Sequence, residues 1–305
     1  MKLATFVADG RERLGALAGE TVVDLNAAAT LLPDGPPSLA PSLKALLTQG
    51  ADGLARAADL LAAVEAEDEV GRAGVVFALD AVQLRAPVPD PQKILAIGLN
   101  YRDHCQEQGL PEPTVMTLFS KFPSAVIGPG DPIVLPPADV TRQVDYEAEL
   151  AFMVGKPARD VPEAEAYDYI AGYLCCNDVS ARDVQAGDGG KQWVHAKGFD
   201  TFAPLGPWLT TRDEIEDPHT LAIQSLLNGE VMQDSSTEHL VFRVPWLLAE
   251  LSRSLTLLPG DIVTTGTPGG VGLHRDPPVF LAPGDTITVR IERLGALTNP
   301  VTAAG

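Results

Sequence analysis

The chain has 305 residues, 45% of them apolar, enough to bury one large domain or a large domain with a smaller companion. Forty-one acidic against 22 basic side chains give a formal net charge of −19, which argues against nucleic-acid phosphates and anionic lipid surfaces as partners. An anionic small molecule stays admissible, because a metal ion or local cation reverses the field inside a pocket.

In chain order, residues 1–30 alternate as a short hairpin array ("KLATFVADG", "RLGALAG", "TVVDL"). Residues 38–80 are rich in Ala and Leu at helical spacing, with a glycine break. Three prolines in "LRAPVPDPQ", residues 84–92, mark a boundary between a small α/β unit, 1–85, and a main domain, 86–305. "KILAIGLN" then reads as a strand delivering a short helix, "YRDHCQEQG", which Gly109 and Pro111 end. Pro-Gly-Asp recurs at 129–131, 259–261 and 283–285, each time before a β-branched run, and reads as a tight turn launching a strand. Asn228-Gly229 sits at a hairpin turn. Helical patterns appear at 162–171 and 244–254. The fold class is α+β and mainly β, a roll or sandwich of mixed sheets rather than an alternating parallel α/β fold. Cys175 and Cys176 are adjacent and make poor disulfide partners, and the three cysteines, with Cys105, lack metal-type spacing. A reduced, cytoplasmic protein is expected, with no secretion signal and no apolar run of the roughly 18 residues a membrane span needs.

The stretch "VDYEAELAFMVG", 144–155, puts Tyr146, Ala148, Leu150, Phe152 and Val154 on one face of a strand. Asp145, Glu147 and Glu149 occupy the other, which turns apolar at Ala151 and Met153. Two ionised carboxylates roughly 7 Å apart along a partly buried face repel and lose hydration unless a cation sits between them. Hard oxygen ligands suit Mg²⁺, Mn²⁺ or Ca²⁺ better than zinc. A third ligand is available at Asp178, which the apolar strand "YIAGYLCC" carries to its polar end, although a turn or N-cap role fits the same aspartate. The glycine-rich loop "GDGGKQWVHAKGFDTFAPLG" presents Lys191, His195 and Lys197, as site cations or as solvated ones. "TGTPGGVG", 265–272, offers backbone N–H groups to an anionic oxygen. His104 and Glu107, three apart on a helical turn, share a face as an acid/base pair or as a surface pair. Cys105 points about 100° away from His104 on a helix and is rejected as a His-activated nucleophile.

Taken in order, "GLNYRDHCQE", "FSKFPSAVIGPGDPIVLP", "VDYEAELAFMVGK", "NDVSARDVQ", "KQWVHAKGFDTFAPLGP", "NGEVMQ", "GDIVTTGTPGGVG" and "FLAPGDTITVRIERLG" resemble the fumarylacetoacetate hydrolase family over about residues 93–300. The resemblance implies a mixed β-sandwich roll, a homodimer, and metal ligands at Glu147, Glu149 and Asp178 holding Mg²⁺ or Mn²⁺, with Ca²⁺ possible. It implies catalytic roles for Lys197, an oxyanion-binding lysine, and for His104 and Glu107 on a mobile lid. It places Arg182, Gln185 and Thr267 at the substrate. Arg102 and Lys121 are further cations available for a doubly anionic substrate. The implied substrate is a small 2-oxo acid acted on through an enolate. Oxaloacetate, tautomerised or decarboxylated, is the preferred one, and hydrolysis of an acylpyruvate or fumarylpyruvate is the alternative. A non-catalytic, metal-stabilised binding protein is the rival of another class.

Overall fold

Residues 1–31, 39–66, 73–187 and 192–304 are described in a computed structural model of the protein. Lys191 of the glycine-rich loop lies outside them.

The three Pro-Gly-Asp repeats do the same mechanical job. In each, the aspartate N–H donates to the carbonyl three residues back (Gly128, Leu258, Ala282). The aspartate carboxylate accepts that residue's N–H at 2.8–2.9 Å. Gly130, Gly260 and Gly284 have φ of 78°, 86° and 96°, the left-handed position that a turn with proline ahead of it requires. At the hairpin tip Asn228 and Gly229 both have positive φ, 54° and 86°, and Leu227 pairs with Glu230.

The main sheet runs, from edge to edge, Val76–Ala78, Thr21–Asp24, Arg11–Ala18, Lys2–Ala8, Ala203–Thr211, Ile170–Asn177, Ala148–Val154, Ile262–Thr264, Ile94–Gly98 and Thr117–Lys121. The N-terminal strands are therefore continuous with the sheet of the main domain, through pairing of Lys2 with Thr210 and Leu3 with Leu209. A second sheet runs Glu230–Ser236, Ala222–Leu227, Thr286–Ile291, Gly295–Ala303 and Ile133–Leu135. Most neighbours are antiparallel, but Ile262–Thr264 lies parallel to Ile94–Gly98 and Gly295–Ala303 parallel to Ile133–Leu135. The result is a mainly β fold of mixed sheets.

Every residue of Ala148–Val154 is buried, because both faces of the strand are covered. Leu150, Phe152 and Val154 pack with Ile223, Val289 and Ile291 of the second sheet and with Leu247, Leu248 and Leu251 of the helix Val244–Ser254. Ala151 and Met153 pack on the other face with Leu43, Leu46 and Leu60 from the N-terminal helices Leu43–Thr48 and Gly50–Ala66. Toward the start of the strand, Glu147 and Glu149 line a cavity. Among the described residues no helix is long and apolar enough to cross a membrane.

Candidate active site

Antiparallel pairing sets Asn177 opposite Ala148. One residue further out, the Asp178 N–H donates to the Glu147 carbonyl at 2.9 Å. Strand register thereby brings Glu147, Glu149 and Asp178 together, with one ligand oxygen from each lying within 4.8 Å of the others. All three are buried. They line a cavity of about 230 Å³ with His104, Arg182, Gln185, Lys197, Thr267 and His274.

The carboxylates differ in their partners. Glu147 accepts Lys197 Nζ at 2.7 Å and Arg182 Nη1 at 2.7 Å. Burial alone raises its pKa, but the Lys197 and Arg182 charges outweigh burial and hold it well below the usual carboxylate range. Asp178 accepts Lys197 Nζ at 2.6 Å on one oxygen and Lys121 Nζ at 2.5 Å on the other. Glu149 accepts only the Gly266 N–H, at 2.9 Å, and no cation bridges to it among the described residues. Burial, then Asp178 and Glu147, raise its pKa well above normal. Counting Asp145, four buried carboxylates face three buried cations (Lys121, Arg182, Lys197), and Glu149 carries the unmatched charge. A hard divalent ion fits this donor set: three carboxylate oxygens converge, and the least compensated one has no competing cation to release.

The glycine-rich turn 265–272 does present N–H groups to anionic oxygens, but the oxygens belong to the protein. Gly266 serves Glu149, Gly270 serves Glu107 at 2.8 Å, and Gly272 serves Asp145 at 2.8 Å. The turn thus locks the orientation of a cavity carboxylate, of the helix Arg102–Glu107 and of the Arg182 anchor at once.

That helix ends with Gly109 at φ 65° and a Leu110 N–H to Cys105 carbonyl bond at 2.9 Å, a Schellman closure. His104 Nδ1 lies 3.0 Å from Glu107 Oε2, so the pair forms. Burial raises the Glu107 pKa, but the bonds from His104 and the Gly270 N–H more than offset this and leave it lowered. Cys105 is buried with Sγ on the Leu99 carbonyl at 3.6 Å, and burial raises its thiol pKa.

Lys197 closes the short helix Trp193–Lys197, and its Nζ lies 5.1 Å from the Phe119 ring centroid and 6.0 Å from that of Trp193. The Trp193 ring packs on Gly98, where an added Cβ would come 2.1 Å from Cζ3. Gly98→Ala is therefore expected to cost about 1–3 kcal/mol by overpacking and to lower turnover by displacing Trp193 and with it Lys197. Thermal unfolding and turnover on one preparation check this. Wild-type values for both would show that the ring yields without moving the lysine.

The structure gathers Glu147, Glu149, Asp178, His104, Lys197, Arg182, Gln185 and Thr267 around one cavity, with Glu107 behind His104. Two expected substrate cations are placed elsewhere. Arg102 Nη1 donates to the Glu238 and Leu240 carbonyls at 3.2 Å, tying its helix to the 3-10 turn Thr237–His239 that follows the strand Glu230–Ser236. Lys121 is fully buried and bonds Asp178 and the Val179 carbonyl. Neither lines the cavity, so direct contact of these two with a substrate is not supported, and Lys121 is a support for Asp178. Arg182, by contrast, lines the cavity, and its Nη2 is buried without a hydrogen-bond partner among the described residues. Its Nε and Nη1 bond Asp145, Glu147 and Gln185.

Several site residues escape sequence reasoning. Asp145 accepts from Arg182, Gly272 and Leu273, and its place on the Glu147/Glu149 face was a usable signal. Gln233 is buried, accepts the Ala148 N–H and donates to the Thr267 hydroxyl, which itself donates to the Ala148 carbonyl. Trp193 and His274 line the cavity without any spacing that announces them.

A family model described as fumarylacetoacetate hydrolase C-terminal matches residues 93–302. Oxaloacetate tautomerase, mitochondrial, from Xenopus laevis is 49% identical over 220 residues, 72% of this chain and 68% of that protein. The human oxaloacetate tautomerase, mitochondrial, is 47% identical over 72% and 69% of the two chains. Among solved structures, maleylpyruvate hydrolase from Sphingobium sp. SYK-6, in complex with manganese(II) and pyruvate, superposes with a TM-score of 0.78 at 34% identity over the full length of both chains. A fumarylacetoacetate hydrolase from Exiguobacterium antarcticum gives 0.82 at 35%, again over both chains in full.

Proposed function

This enzyme belongs to the fumarylacetoacetate hydrolase family, and from that premise we propose that it interconverts the keto and enol forms of oxaloacetate, with decarboxylation as the related outcome. The observation that carries the reading is an oriented acid/base pair, His104 with Glu107, on the wall of a cavity of about 230 Å³ that is also lined by three carboxylates and the Arg182 guanidinium. That volume is below the roughly 300–1,000 Å³ of sites for drug-sized ligands, so the substrate is small. Mg²⁺ or Mn²⁺ held by Glu147, Glu149 and Asp178 would supply two positive charges and Lewis-acid polarisation of the 2-oxo group.

The chain's own groups account for the rest. The Arg182 guanidinium on the cavity wall supplies positive charge to the substrate's carboxylate. Lys197 Nζ, fixed between Glu147 and Asp178, stabilises negative charge as it develops on the 2-oxo oxygen. Burial lowers the Lys197 pKa, but Asp178 and Glu147 outweigh it and keep the ammonium charged. Ionised Glu107 only accepts hydrogen bonds, so Nδ1 of His104 carries the proton and Nε2 is the base for the C3 proton. Delivering that proton to the 2-oxo oxygen gives the enol; in the reverse direction the enol O–H proton is lost and one is delivered to C3, which gives the keto form.

A second reading, hydrolysis of a longer acylpyruvate, is favoured by one feature. A recess of about 590 Å³, lined by Glu107, Met232, Gly270, His274 and Arg275, adjoins the cavity and has room for an acyl tail. The Mg²⁺-loaded enzyme offered oxaloacetate and acetylpyruvate side by side decides between the readings. Enol–keto exchange, carbon dioxide release and acetate release are followed separately. Oxaloacetate exchange is expected to dominate; acetylpyruvate cleavage with a much larger kcat/KM would overturn the assignment in favour of the hydrolase.

A further inference from the structure

A dicarboxylic 2-oxo acid brings a second carboxylate into the cavity, and that charge has to be met there. Arg102 and Lys121 do not line the cavity. Lys197 and Arg182 do, but both are bonded to Glu147 at the triad. His104 is committed through Nδ1 to Glu107.

Besides the indole of Trp193 and the amides of Gln108 and Gln185, the wall offers the ring of His274, and of these only His274 lines the outer recess as well. It lines both the inner cavity and the outer recess, with its ring 6.0 Å from that of His104. It is exposed at the rim, and its ring nitrogens have no hydrogen-bond partner among the described residues. Its position is nevertheless fixed. It ends the 3-10 turn Gly272–His274, its N–H donates to the Val271 carbonyl, and the two residues before it donate their N–H groups to Asp145. The same Asp145 carboxylate holds Arg182 Nε at 2.8 Å. One buried aspartate therefore sets the spacing between Arg182, the donor at the triad, and His274, the donor at the rim.

We propose that His274 is the specificity-determining residue that receives the second carboxylate of a dicarboxylic 2-oxo acid. The assignment rests on the oxaloacetate reading above and names the group that distinguishes oxaloacetate from a monocarboxylate. Partial burial lowers the His274 pKa against the pull of Glu107, so the ring works as a neutral N–H donor, a part that an asparagine amide can also play.

The test compares wild type, His274→Phe and His274→Asn, all Mg²⁺-loaded. Kinetics of oxaloacetate exchange are paired with calorimetric affinities for oxaloacetate and for pyruvate, which lacks the second carboxylate. His274→Phe is expected to raise KM for oxaloacetate about tenfold or more, the scale of one lost hydrogen bond to a charged group, with a smaller change in kcat. The pyruvate affinity stays as in wild type, and His274→Asn recovers most of the loss. The assignment is overturned by an unchanged KM in His274→Phe, by equal weakening of pyruvate and oxaloacetate, or by a fall in kcat at constant KM. The two readings fail separately: tight, His274-dependent oxaloacetate binding without turnover removes the reaction and keeps the residue's role, and turnover insensitive to His274 does the reverse.

Discussion

Glu149→Gln is expected to abolish Mg²⁺ binding and yet raise the melting temperature of the metal-stripped protein, whereas Glu147→Gln is expected to weaken Mg²⁺ binding and lower that temperature. The two residues are two positions apart on one strand and contribute to the same oxygen cluster, so a surface view would treat them alike. Their partners differ. Glu147 sits between Lys197 and Arg182 at 2.7 Å. Neutralising it takes one of two carboxylate partners from each of these buried cations, which keep Asp178 and Asp145, a loss of at most the roughly 3–5 kcal/mol of a broken buried pair. Glu149 has no cation partner among the described residues, and Asp178 and Glu147 repel it. A glutamine there removes that repulsion, and its carbonyl oxygen still accepts the Gly266 N–H. Losing a carboxylate ligand weakens metal binding by more than the roughly 10–100-fold that supporting residues around a metal site command. Calorimetric Mg²⁺ titration and thermal unfolding of stripped protein check both signs. If Glu149→Gln kept its Mg²⁺ affinity, the triad would not be the metal clamp.

Much of this arrangement is legible in the chain because strands convert sequence period into geometry. The alternation Asp145, Glu147, Glu149 puts three carboxylates on one face, and the apolar run ahead of Asp178 carries it to the end of a neighbouring strand. The Pro-Gly-Asp turns are legible for a similar reason, since each combines a fixed φ, a positive φ and a carboxylate that caps its own turn. What resists reading is the partner chosen by each charge. Arg102 opens the helix that carries His104, yet it points toward the Glu238 and Leu240 carbonyls rather than inward. Lys121 ends an edge strand, where a solvated head group is the ordinary outcome, but two elements bury it against Asp178. Helix face and tertiary contact decided both, and neither has a local sequence code. The glycine-rich turn shows the same limit. Its N–H groups are visible as anion donors, but the three oxygens they meet come from residues 107, 145 and 149, far away in sequence.

His104→Ala is expected to lower kcat/KM for the native 2-oxo acid by about 10²–10⁴-fold, the usual share of a positioned acid/base, with calorimetric Mg²⁺ affinity as in wild type. The histidine bonds Glu107 rather than any member of the triad, so its removal takes away a proton carrier without touching the oxygens that hold the ion. Glu107→Gln separates orientation from mere presence. Glu107 joins two donors, His104 Nδ1–H at 3.0 Å and the Gly270 N–H at 2.8 Å. Glutamine has one acceptor oxygen for them, and its NH₂ either faces the Gly270 N–H or drives His104 into the tautomer with the proton on Nε2. In that tautomer the base nitrogen is blocked, and an analogous carboxylate-to-amide change beside a catalytic histidine costs up to about 10⁴-fold. Glu107→Gln should therefore approach the loss seen in His104→Ala, and the double variant should be little worse than either single one, because the pair acts as a unit. Additive losses would mean that Glu107 acts on the substrate independently. A parallel fall in Mg²⁺ affinity in His104→Ala would mean that the histidine shapes the metal site rather than moving the proton.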